Sequence, residues 1–354
     1  MNILHLPENY ASRAFHHVHA LQLRGHAARS CIYTSHPFQR DQGLRVFGRN
    51  FPGLYQKNRL NTAVLRCFML ATYAAALPWA EVIHWYTGSK VLWLPVDLSL
   101  AKPFRCKKVV HWQGDDLRNP FLEAELNPAY ARVCTQWTPE AMRQQAKETK
   151  ERQQRFFDAG FTPFTPIDLE EHLLDGWRAN LVHIRHTVDT HQLQPIPRIP
   201  DGRIRIAHAP TDNAIKGTQY ILSALKKLQK SYPVDIVLLA NLPRQKVMEA
   251  IQSSDIFIDN VLQGMYCMAS LEALSMGLPT VCHVCDRLWK KVPDDFPIIN
   301  TTADTLIDTL ADLISKQDQW EKIGQQGRMY VEKYHSYAVM GKYLEEAYQK
   351  LSPT

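Results

Sequence analysis

The chain contains little glycine, only 15 of its 354 residues, and no glycine-rich phosphate fingerprint follows its first apolar segment, Met1–Leu6. A dinucleotide site is therefore not expected in the loop Pro7–Ala11. No lysine and arginine block is long enough, or interleaved enough with aromatic residues, to predict a nucleic-acid surface. The seven cysteines include one close pair, Cys282 and Cys285, but no second pair with zinc spacing. We interpret that pair as small buried hydrophobic side chains and predict no metal site.

The sequence also lacks a secretory segment and a long uninterrupted apolar run. We therefore expect a cytoplasmic protein with reduced thiols. Arg66 and Pro78 interrupt the most apolar stretch, residues 63–80, which predicts a core or interface helix. The alternative is a helix on the inner face of a membrane, with Tyr55, Lys57, Arg59 and Arg66 at the headgroups.

The length of 354 residues suits two domains, and 45% hydrophobic with 21% charged residues is ordinary for a soluble globular protein. The formal charge of +6 fits either a solvated surface or attraction to anionic phosphates and lipid headgroups.

The order of apolar segments predicts an α/β fold. Strand, helix, Gly25 and a second strand at Ser30–Tyr33 make a βαβ unit at the start of the chain. The interval 190–202 holds three prolines and little periodicity, as in a linker. We predict an N-terminal domain over residues 1–190, a linker over 191–203, a C-terminal domain over 204–335, and a final helix over 336–354 packing toward the first domain.

The stretch Arg205–Leu288 has the pattern of a parallel sheet with covering helices. Ligands bind beyond the carboxyl ends of such strands. Lys216 follows the first strand of this stretch and is predicted in the first turn of a helix, where a cation is unfavourable unless an anion binds beside it. Thr211 and Asp212 are alternatively simple helix caps.

A second loop of this stretch runs through Gly264 into a helix that carries Glu272. This glutamate either interacts with the free N–H groups of the first helical turn or points into a crevice and binds ribose hydroxyls.

In the first half, His111 ends the strand KKVVHW, and Gln113, Gly114, Asp115 and Asp116 follow it. Adjacent carboxylates point apart on an extended chain, so we favour ligand contacts over a metal site. His84 ends the strand EVIHW, and either histidine is a candidate for a sugar hydrogen bond or a structural residue. Asn9 is a candidate ligand contact or a turn residue.

These segments resemble glycosyltransferase family 4, retaining enzymes with the GT-B fold. The resemblance covers most of the chain and is clearest in RIAHAPTDNAIKGTQYILSAL, SSDIFIDNVLQGMYCMASLEALSMGLPTV and GRMYVEKYHSYAVMGKYLEEAYQKL. EVIHWYTG and VVHWQGDDLR carry it more loosely in the first half. It implies two Rossmann-like domains facing across a cleft, with the last helix crossing back to the first domain.

The resemblance also implies site residues. Lys216 would hold the donor diphosphate, Glu272 would lie near the ribose, and His111 would face the transferred sugar. The remaining donor contacts would be Asn213, Gly264, Met265, Tyr266, Cys267 and Met268, and the acceptor-side or sugar contacts would be Asn9, His84, Gly114 and Asp115.

Two departures from the family stand in the sequence. Gly264 replaces the first glutamate of the E-x7-E motif, and Thr211 or Asn213 stands where a basic partner of the lysine is usual. The expected activity is metal-independent transfer of a sugar from a UDP- or GDP-linked donor to a saccharide or lipid-linked saccharide acceptor, as in bacterial polysaccharide or lipopolysaccharide synthesis. The donor would be a co-substrate, with no further cofactor and no nucleic-acid partner. The rivals are a sugar-nucleotide 2-epimerase, a sugar-phosphate synthase and a degenerate, non-catalytic member of the same fold.

Overall fold

The structure is a computed structural model that describes residues 1–34, 39–51, 58–197 and 201–354, and the side chain of residue 59 is not described. The strands are β1 Asn2–Leu6, β2 Ala27–Ser30, β3 Val82–Tyr86, β4 Lys107–His111, β5 Thr162–Thr165, β6 Val182–His183, β7 Ile204–His208, β8 Val234–Leu238, β9 Ile256–Ile258, β10 Thr280–Cys282 and β11 Ile299–Asn300. The helices are α1 Arg13–Gln22, α2 Phe47–Asn50, α3 Arg59–Ala76, α4 Leu94–Ala101, α5 Pro120–Leu126, α6 Ala131–Cys134, α7 Pro139–Asp158, α8 Asp175–Arg178, α9 Asn213–Lys216, α10 Thr218–Leu228, α11 Arg244–Gln252, α12 Met268–Ser275, α13 Asp286–Trp289, α14 Leu306–Ser315, α15 Trp320–His335 and α16 Tyr337–Lys350.

The chain divides into two compact units. The first contains residues Met1–Asn119, Gln145–Thr187 and Tyr337–Thr354, and the second contains Pro120–Gln144 and Val188–Ser336. Each unit has its own parallel sheet, in the strand orders β2-β1-β3-β4-β5-β6 and β11-β10-β9-β7-β8. The predicted α/β class with two Rossmann-like domains is confirmed, whereas the cleft between them stays a prediction.

The sheet of the first unit is covered on both faces, as parallel sheets usually are. Alternate residues of β1 and β3 point to opposite sides. Leu4 and Trp85 lie in one apolar cluster with α3 and α4, and Ile3 lies in another with α1 and α16. Four histidines project among the residues of the second cluster, where they are fully buried (His5, His17, His84 and His111).

The sheet of the second unit packs against α10 and α14 through β-branched and leucine side chains such as Ile206, Ile221 and Leu310. Tyr130 and Val133 belong to the same core, although they lie far from it in sequence. The ion pair between Arg132 and Asp304, 2.6 Å long, adds a polar contact.

The segment Pro120–Gln144 belongs to the second unit, whereas the sequence-based assignment placed it in the N-terminal domain. Its buried aromatic and aliphatic side chains pack in the core of the second unit. The sequence does not show this, because the contacts join residues that lie far apart in the chain. The first unit also ends at Thr187 rather than at residue 190, and the final helix α16 belongs to it. In the predicted linker, residues 198–200 lie outside the described part.

Helix α3 presents two apolar stripes. Leu65, Met69 and Tyr73 are buried at four-residue spacing, whereas Leu60 and Phe68 are 68% and 52% exposed. By length and composition alone, Leu60–Trp79 is apolar enough to cross a membrane, and only 22% of it is buried. The prediction of a core helix therefore holds only for the face of α3 that contains Leu65, Met69 and Tyr73.

Two local predictions were wrong. The second strand is Ala27–Ser30 instead of Ser30–Tyr33, because the chain enters the sheet soon after Gly25. Lys216 is not in the first turn of a long helix. It ends the short helix α9, and Gly217 separates it from α10. A cation at that end is favourable to the helix dipole, so the argument from an unfavourable position does not hold.

Candidate functional site

In the second unit, Lys216 forms a buried ion pair with Asp259. The Lys216 ammonium contacts Asp259 Oδ1, and both side chains are almost inaccessible to solvent. Burial by itself would lower the pKa of Lys216, but Asp259 and Cys267 beside it raise the pKa above its ordinary value. The same pairing holds the pKa of Asp259 below its ordinary value despite burial. The ammonium is therefore permanently charged.

Asp259 also links Lys216 to the start of α12. Its second oxygen, Oδ2, accepts hydrogen bonds from the Cys267 amide at 2.8 Å and from Ser270 Oγ at 2.6 Å. The first helical bond of α12 runs from Leu271 N to Cys267 O, so the amides of residues 268–270 precede the hydrogen-bonded turns. The Asp259 carboxylate thus contacts both the Lys216 ammonium and the N-terminus of α12.

Gly264 occupies a position where a side chain does not fit. Its φ is +86°, and an added Cβ would lie 2.4 Å from Asn127 Nδ2. Asn127 is itself held in place by a hydrogen bond to Leu262 O at 2.9 Å and by a contact with His283 Nε2 at 3.3 Å. Asn127 therefore leaves no room for a glutamate side chain at residue 264.

The loop after Gly264 does not expose all of its predicted donor contacts. Met265 and Tyr266 are buried, and the Tyr266 ring packs against Phe296 with a centroid separation of 5.4 Å. Cys267 and Met268 are partly exposed at the start of α12. Direct donor contacts by the Met265 and Tyr266 side chains do not follow from this structure, because both side chains face the core.

Glu272 is buried and forms an ion pair with Arg244, with an NH2 to Oε1 distance of 2.5 Å. This observation differs from the interpretation in which Glu272 contacts the amides of the first helical turn, whereas the contact with ribose hydroxyls stays a prediction. Arg244 begins α11, which follows β8, and Lys216 follows β7, the neighbour of β8 in the sheet. A second cation therefore lies at the same edge of the sheet, in addition to Lys216.

Two other residues of the Lys216 loop have structural roles. Asp212 Oδ1 accepts hydrogen bonds from the amides of Ala214 and Ile215, which confirms the capping interpretation. His208 Nδ1 donates to Ile258 O, so its Nε2 accepts from Thr218 Oγ1, each at 2.9 Å. Asn213 is exposed at the start of α9.

In the first unit, His111 and His84 lie in a buried hydrogen-bonded chain. Arg13 NH1 is 3.0 Å from His111 Nε2, His111 Nδ1 is 3.1 Å from His84 Nε2, and His84 Nδ1 is 2.5 Å from Tyr348 Oη. Because an arginine only donates, His111 Nε2 must accept and its proton must lie on Nδ1. The same reasoning places the His84 proton on Nδ1, facing Tyr348.

Burial lowers the pKa of His111 and His84 well below the ordinary value, and neighbouring histidines lower it further. Both rings are therefore neutral at physiological pH. Neither is exposed, and Arg13, which is 5% exposed, covers His111. Direct contact of a sugar with either histidine does not follow from this structure, because both nitrogens of each ring are already engaged.

Nitrogens of His17, His84 and His111 lie within 4.8 Å of one another, close enough to suggest a metal site. Both nitrogens of His111 are already engaged, Nε2 by Arg13 and Nδ1 by His84, so a metal would have to displace one of these hydrogen bonds. A divalent ion would also lie beside the buried Arg13 charge. The donors present fit a hydrogen-bonded chain better than a ligand set.

A cavity of about 830 Å³ opens in the first unit at the carboxyl ends of β1, β3 and β4. Its volume is in the range of small-molecule sites, about 300–1,000 Å³. Gln113 lines it and is 91% buried (9% exposed), yet neither atom of its amide has a hydrogen-bond partner among the described residues. Both amide atoms are also almost inaccessible to solvent, so this wall of the cavity contains a buried polar group whose desolvation is not compensated by a described residue.

Glu8 is the second notable group of this cavity. It follows β1, and burial raises the pKa of its carboxyl to about 7, against the opposing charge of Arg66. Asp116 is different, since its carboxylate accepts from the Gln113 and Gly114 amides at 3.0 and 2.8 Å. Burial raises the pKa of Asp116, and these two hydrogen bonds oppose the shift.

The predicted sugar contacts of the first unit divide into two groups. Gly114 and the exposed Asp115 line the cavity, although Asp115 pairs with Arg118 at 2.8 Å. Asn9 does not line it. Its side chain accepts from the Phe15 amide at 3.0 Å and donates to Arg40 O at 2.7 Å, as expected for a turn residue.

No family model and no curated protein sequence matches the chain. One solved structure with a similar fold is a sucrose-phosphate synthase from Thermosynechococcus elongatus (11% identity, 99% of each chain covered, TM-score 0.63). A glycosyltransferase from Rickettsia africae is also similar (12% identity, 98% of this chain and 97% of the other, TM-score 0.63). A third is Anabaena HepE in complex with UDP and glucose (12% identity, 99% and 100%, TM-score 0.56). The fold is therefore that of GT-B glycosyltransferases.

Reasoning from the sequence missed four residues of these two sites. Asp259 was visible as an acidic residue directly after the apolar segment DIFI, and Glu8 follows the first strand. Arg244 and Arg13 gave no sequence signal, because their importance depends on partners 28 and 98 residues away.

Proposed function

We propose that the protein is a retaining glycosyltransferase that moves a sugar from a nucleotide-diphospho-sugar to a hydroxyl acceptor. The donor would be UDP- or GDP-linked and would bind the second unit as a co-substrate, without a further cofactor or metal. The similarity to HepE, which binds UDP and glucose, favours UDP. The acceptor would be a saccharide or lipid-linked saccharide, as in bacterial polysaccharide, lipopolysaccharide or glycolipid synthesis.

The observation that carries this proposal is the meeting of the Lys216 ammonium with the N-terminus of α12 through Asp259. An ammonium has three N–H donors, of which Asp259 and Cys267 take two. A diphosphate at the start of α12 would accept from the remaining donor and from the amides of residues 268–270. Arg244, now paired with Glu272, supplies a second positive charge at this edge.

The chemistry would be electrostatic. The bond between the anomeric carbon and the diphosphate oxygen breaks, and a bond from that carbon to the acceptor oxygen forms on the same face. The acceptor hydroxyl proton passes to the departing phosphate oxygen. Lys216 and the helix amides stabilise the negative charge that grows on the leaving diphosphate. His111 would act indirectly, by holding the Arg13 guanidinium in one orientation.

A thermal-shift panel of nucleotides and nucleotide sugars tests donor binding, since a ligand that binds the native state raises the melting temperature. The single variant Lys216→Met leaves Asp259 buried without its partner and is expected to be unstable. The double variant with Asp259→Asn removes both charges and keeps the shape. Lys226→Met, an exposed position of α10, serves as the matched control.

We expect wild type and the control to bind the preferred donor equally. The double variant should bind it roughly 30-fold more weakly, the equivalent of about 2 kcal/mol for a charged hydrogen bond. Donor affinity that is unchanged in the double variant would contradict the assignment of Lys216 to the diphosphate.

A non-catalytic nucleotide-binding protein is the second candidate. Two observations favour it: Lys216 and Arg244 are both paired with carboxylates, and Gly264 carries no carboxylate. Such a protein would bind the donor without turnover. A 2-epimerase would convert the donor without an acceptor. Product analysis with donor alone and with donor plus acceptor separates the three functions.

We also propose that the protein acts in the cytoplasm and contacts the inner face of an anionic membrane through the exposed stripe of α3. Leu60, Val64 and Phe68 form this stripe, and the Phe51 ring stacks on Phe68 with a centroid separation of 6.0 Å. Of the residues expected at the headgroups, Tyr55 and Lys57, together with the Arg59 side chain, lie outside the described part. Binding to anionic vesicles that Phe68→Ser does not weaken would contradict this contact.

A further inference from the structure

We propose that the cavity of the first unit binds the acceptor and that this acceptor is a saccharide carrying an anionic group, which Lys90 and Arg155 hold. The inference rests on the proposed transferase function and specifies the substrate class of its acceptor side. The loop between β3 and α4 forms one wall of the cavity through Thr87, Gly88, Ser89 and Lys90.

This wall is rigid. Thr87 and Gly88 both have left-handed backbones, with φ of 61° and 57°. A Cβ on Gly88 would lie 2.5 Å from the Trp112 ring and 2.7 Å from Arg152 Cδ, so only glycine fits. Thr87 Oγ1 and Ser89 Oγ are 2.7 Å apart and both line the cavity. The wall therefore presents hydroxyl groups in fixed positions.

Basic side chains gather around the same loop. Arg66 donates to the carbonyl oxygens of Lys90 and Val91 at 3.0 and 2.7 Å, which fixes the loop from the side of α3. Arg152 donates to Asp116 O at 3.0 Å from the side of α7. Lys90 and Arg155 also line the cavity, and neither has an ion-pair partner within the part of the chain that the structure describes.

The carboxyl groups of the cavity do not cancel this positive charge. Asp115 is paired with Arg118, which leaves Glu8 and Asp116 as the other acidic side chains of the lining, against the four cations Arg66, Lys90, Arg152 and Arg155. Burial raises the pKa of Glu8 to about 7, so only about half of this carboxyl is ionised at neutral pH. The net charge of the described lining is therefore positive, and an anion is the ligand that it favours.

The polar groups predict the remainder of the ligand. Thr87 Oγ1 donates to Tyr86 O at 2.7 Å and accepts from Ser89 Oγ, so these two hydroxyls offer acceptor lone pairs to neighbouring hydroxyl groups of a ligand. A sugar ring presents such groups, and a carboxylate or phosphate on it would reach Lys90 and Arg155. An uncharged saccharide would leave those two cations unused.

The test is isothermal titration calorimetry of the full chain, without donor, using four probes: glucose, glucuronate, glucose 6-phosphate and inorganic phosphate. Glucuronate and glucose 6-phosphate separate a carboxylate from a phosphate source. The variant Lys90→Ala with Arg155→Ala removes the proposed anion contacts. Lys102→Ala with Arg105→Ala is the matched control, because it removes the same charge from exposed positions of the same unit outside the cavity.

We expect at least one anionic sugar to bind tenfold or more tightly than glucose. The cavity variant should lose this preference, and the control should keep it. Equal affinity for glucose and both anionic sugars would overturn the inference, as would inorganic phosphate binding as tightly as glucose 6-phosphate.

Donor titration distinguishes this outcome from failure of the proposed function. A chain that binds a nucleotide sugar but shows no anionic preference retains the function and loses the inference. If no nucleotide sugar binds while an anionic sugar does, the transferase proposal is wrong, and the cavity is supported only as an anionic-saccharide site.

Discussion

The buried histidines of the first unit should make it unstable in mild acid. His5, His17, His84 and His111 are fully buried. Burial lowers the pKa of His5 from 6.5 to about 3 and that of the other three well below 6.5. Since these rings are neutral when folded but take up protons at about 6.5 when unfolded, their stabilising effect is complete above that pH and is lost as the pH falls below it.

The size of the effect depends only on the unfolded value, provided that the folded pKa values lie below the working pH. At pH 5, each ring favours the unfolded state by about 2 kcal/mol, or about 8 kcal/mol for four rings. Glu8 opposes this by about 2 kcal/mol, because its raised pKa makes the folded state bind the proton more tightly. The remaining loss, about 6 kcal/mol, is comparable with the whole stability of a domain, about 5–15 kcal/mol.

Hydrogen exchange with mass spectrometry measures this loss separately in each unit. After correction for intrinsic exchange, protection of β1, β3 and β4 should fall by about 10⁴-fold between pH 7.5 and 5. His5→Phe should remove about a quarter of the histidine effect, since one of four titrating rings is gone. Equal protection of these strands at both pH values, or ring pKa values near 6.5 by NMR, would refute the reasoning.

Three further predictions concern single residues. Glu8→Gln should stabilise the protein by up to about 3 kcal/mol at pH 8 and little at pH 5. The reason is that a carboxyl with a folded pKa of about 7 makes the folded protein less stable as the pH rises above 4.5. Urea unfolding at both pH values checks this. Gln113→Leu should leave the melting temperature unchanged or raise it, since the buried amide has no hydrogen-bond partner to lose among the described residues; a lower melting temperature than that of the wild type would contradict this. Gly264→Ala should lower the free energy of unfolding by about 2 kcal/mol or more, because the new methyl group meets Asn127. Gly202→Ala is its control, since it has the same backbone sign and no atom within 4 Å, and a similar loss in both variants would show that the contact with Asn127 costs nothing.

Local patterns were sufficient for most of the fold. The apolar runs around β1, β3, β4 and β7 and the helical spacing of α10 and α16 are properties of a few consecutive residues, and the structure confirms these elements. Boundaries and unit membership were less predictable. Residues 120–144 follow the first unit in the chain but complete the core of the second, because Tyr130 and Val133 contact side chains that a sequence does not show to be near.

The candidate sites likewise combine features that local sequence shows with features that depend on long-range contacts. The sequence by itself determined which residue types follow each strand: a lysine after β7, a glycine turn before α12, and Gln113 after β4. Only the tertiary structure decided their partners. It placed Asp259 against Lys216, Arg244 against Glu272 and Arg13 over His111, and it left the Gln113 amide without a partner among the described residues, in the wall of a cavity. The reason is physical: burial, charge pairing and tautomers depend on distances between atoms that long loops separate in the chain and that folding brings to one edge of a sheet.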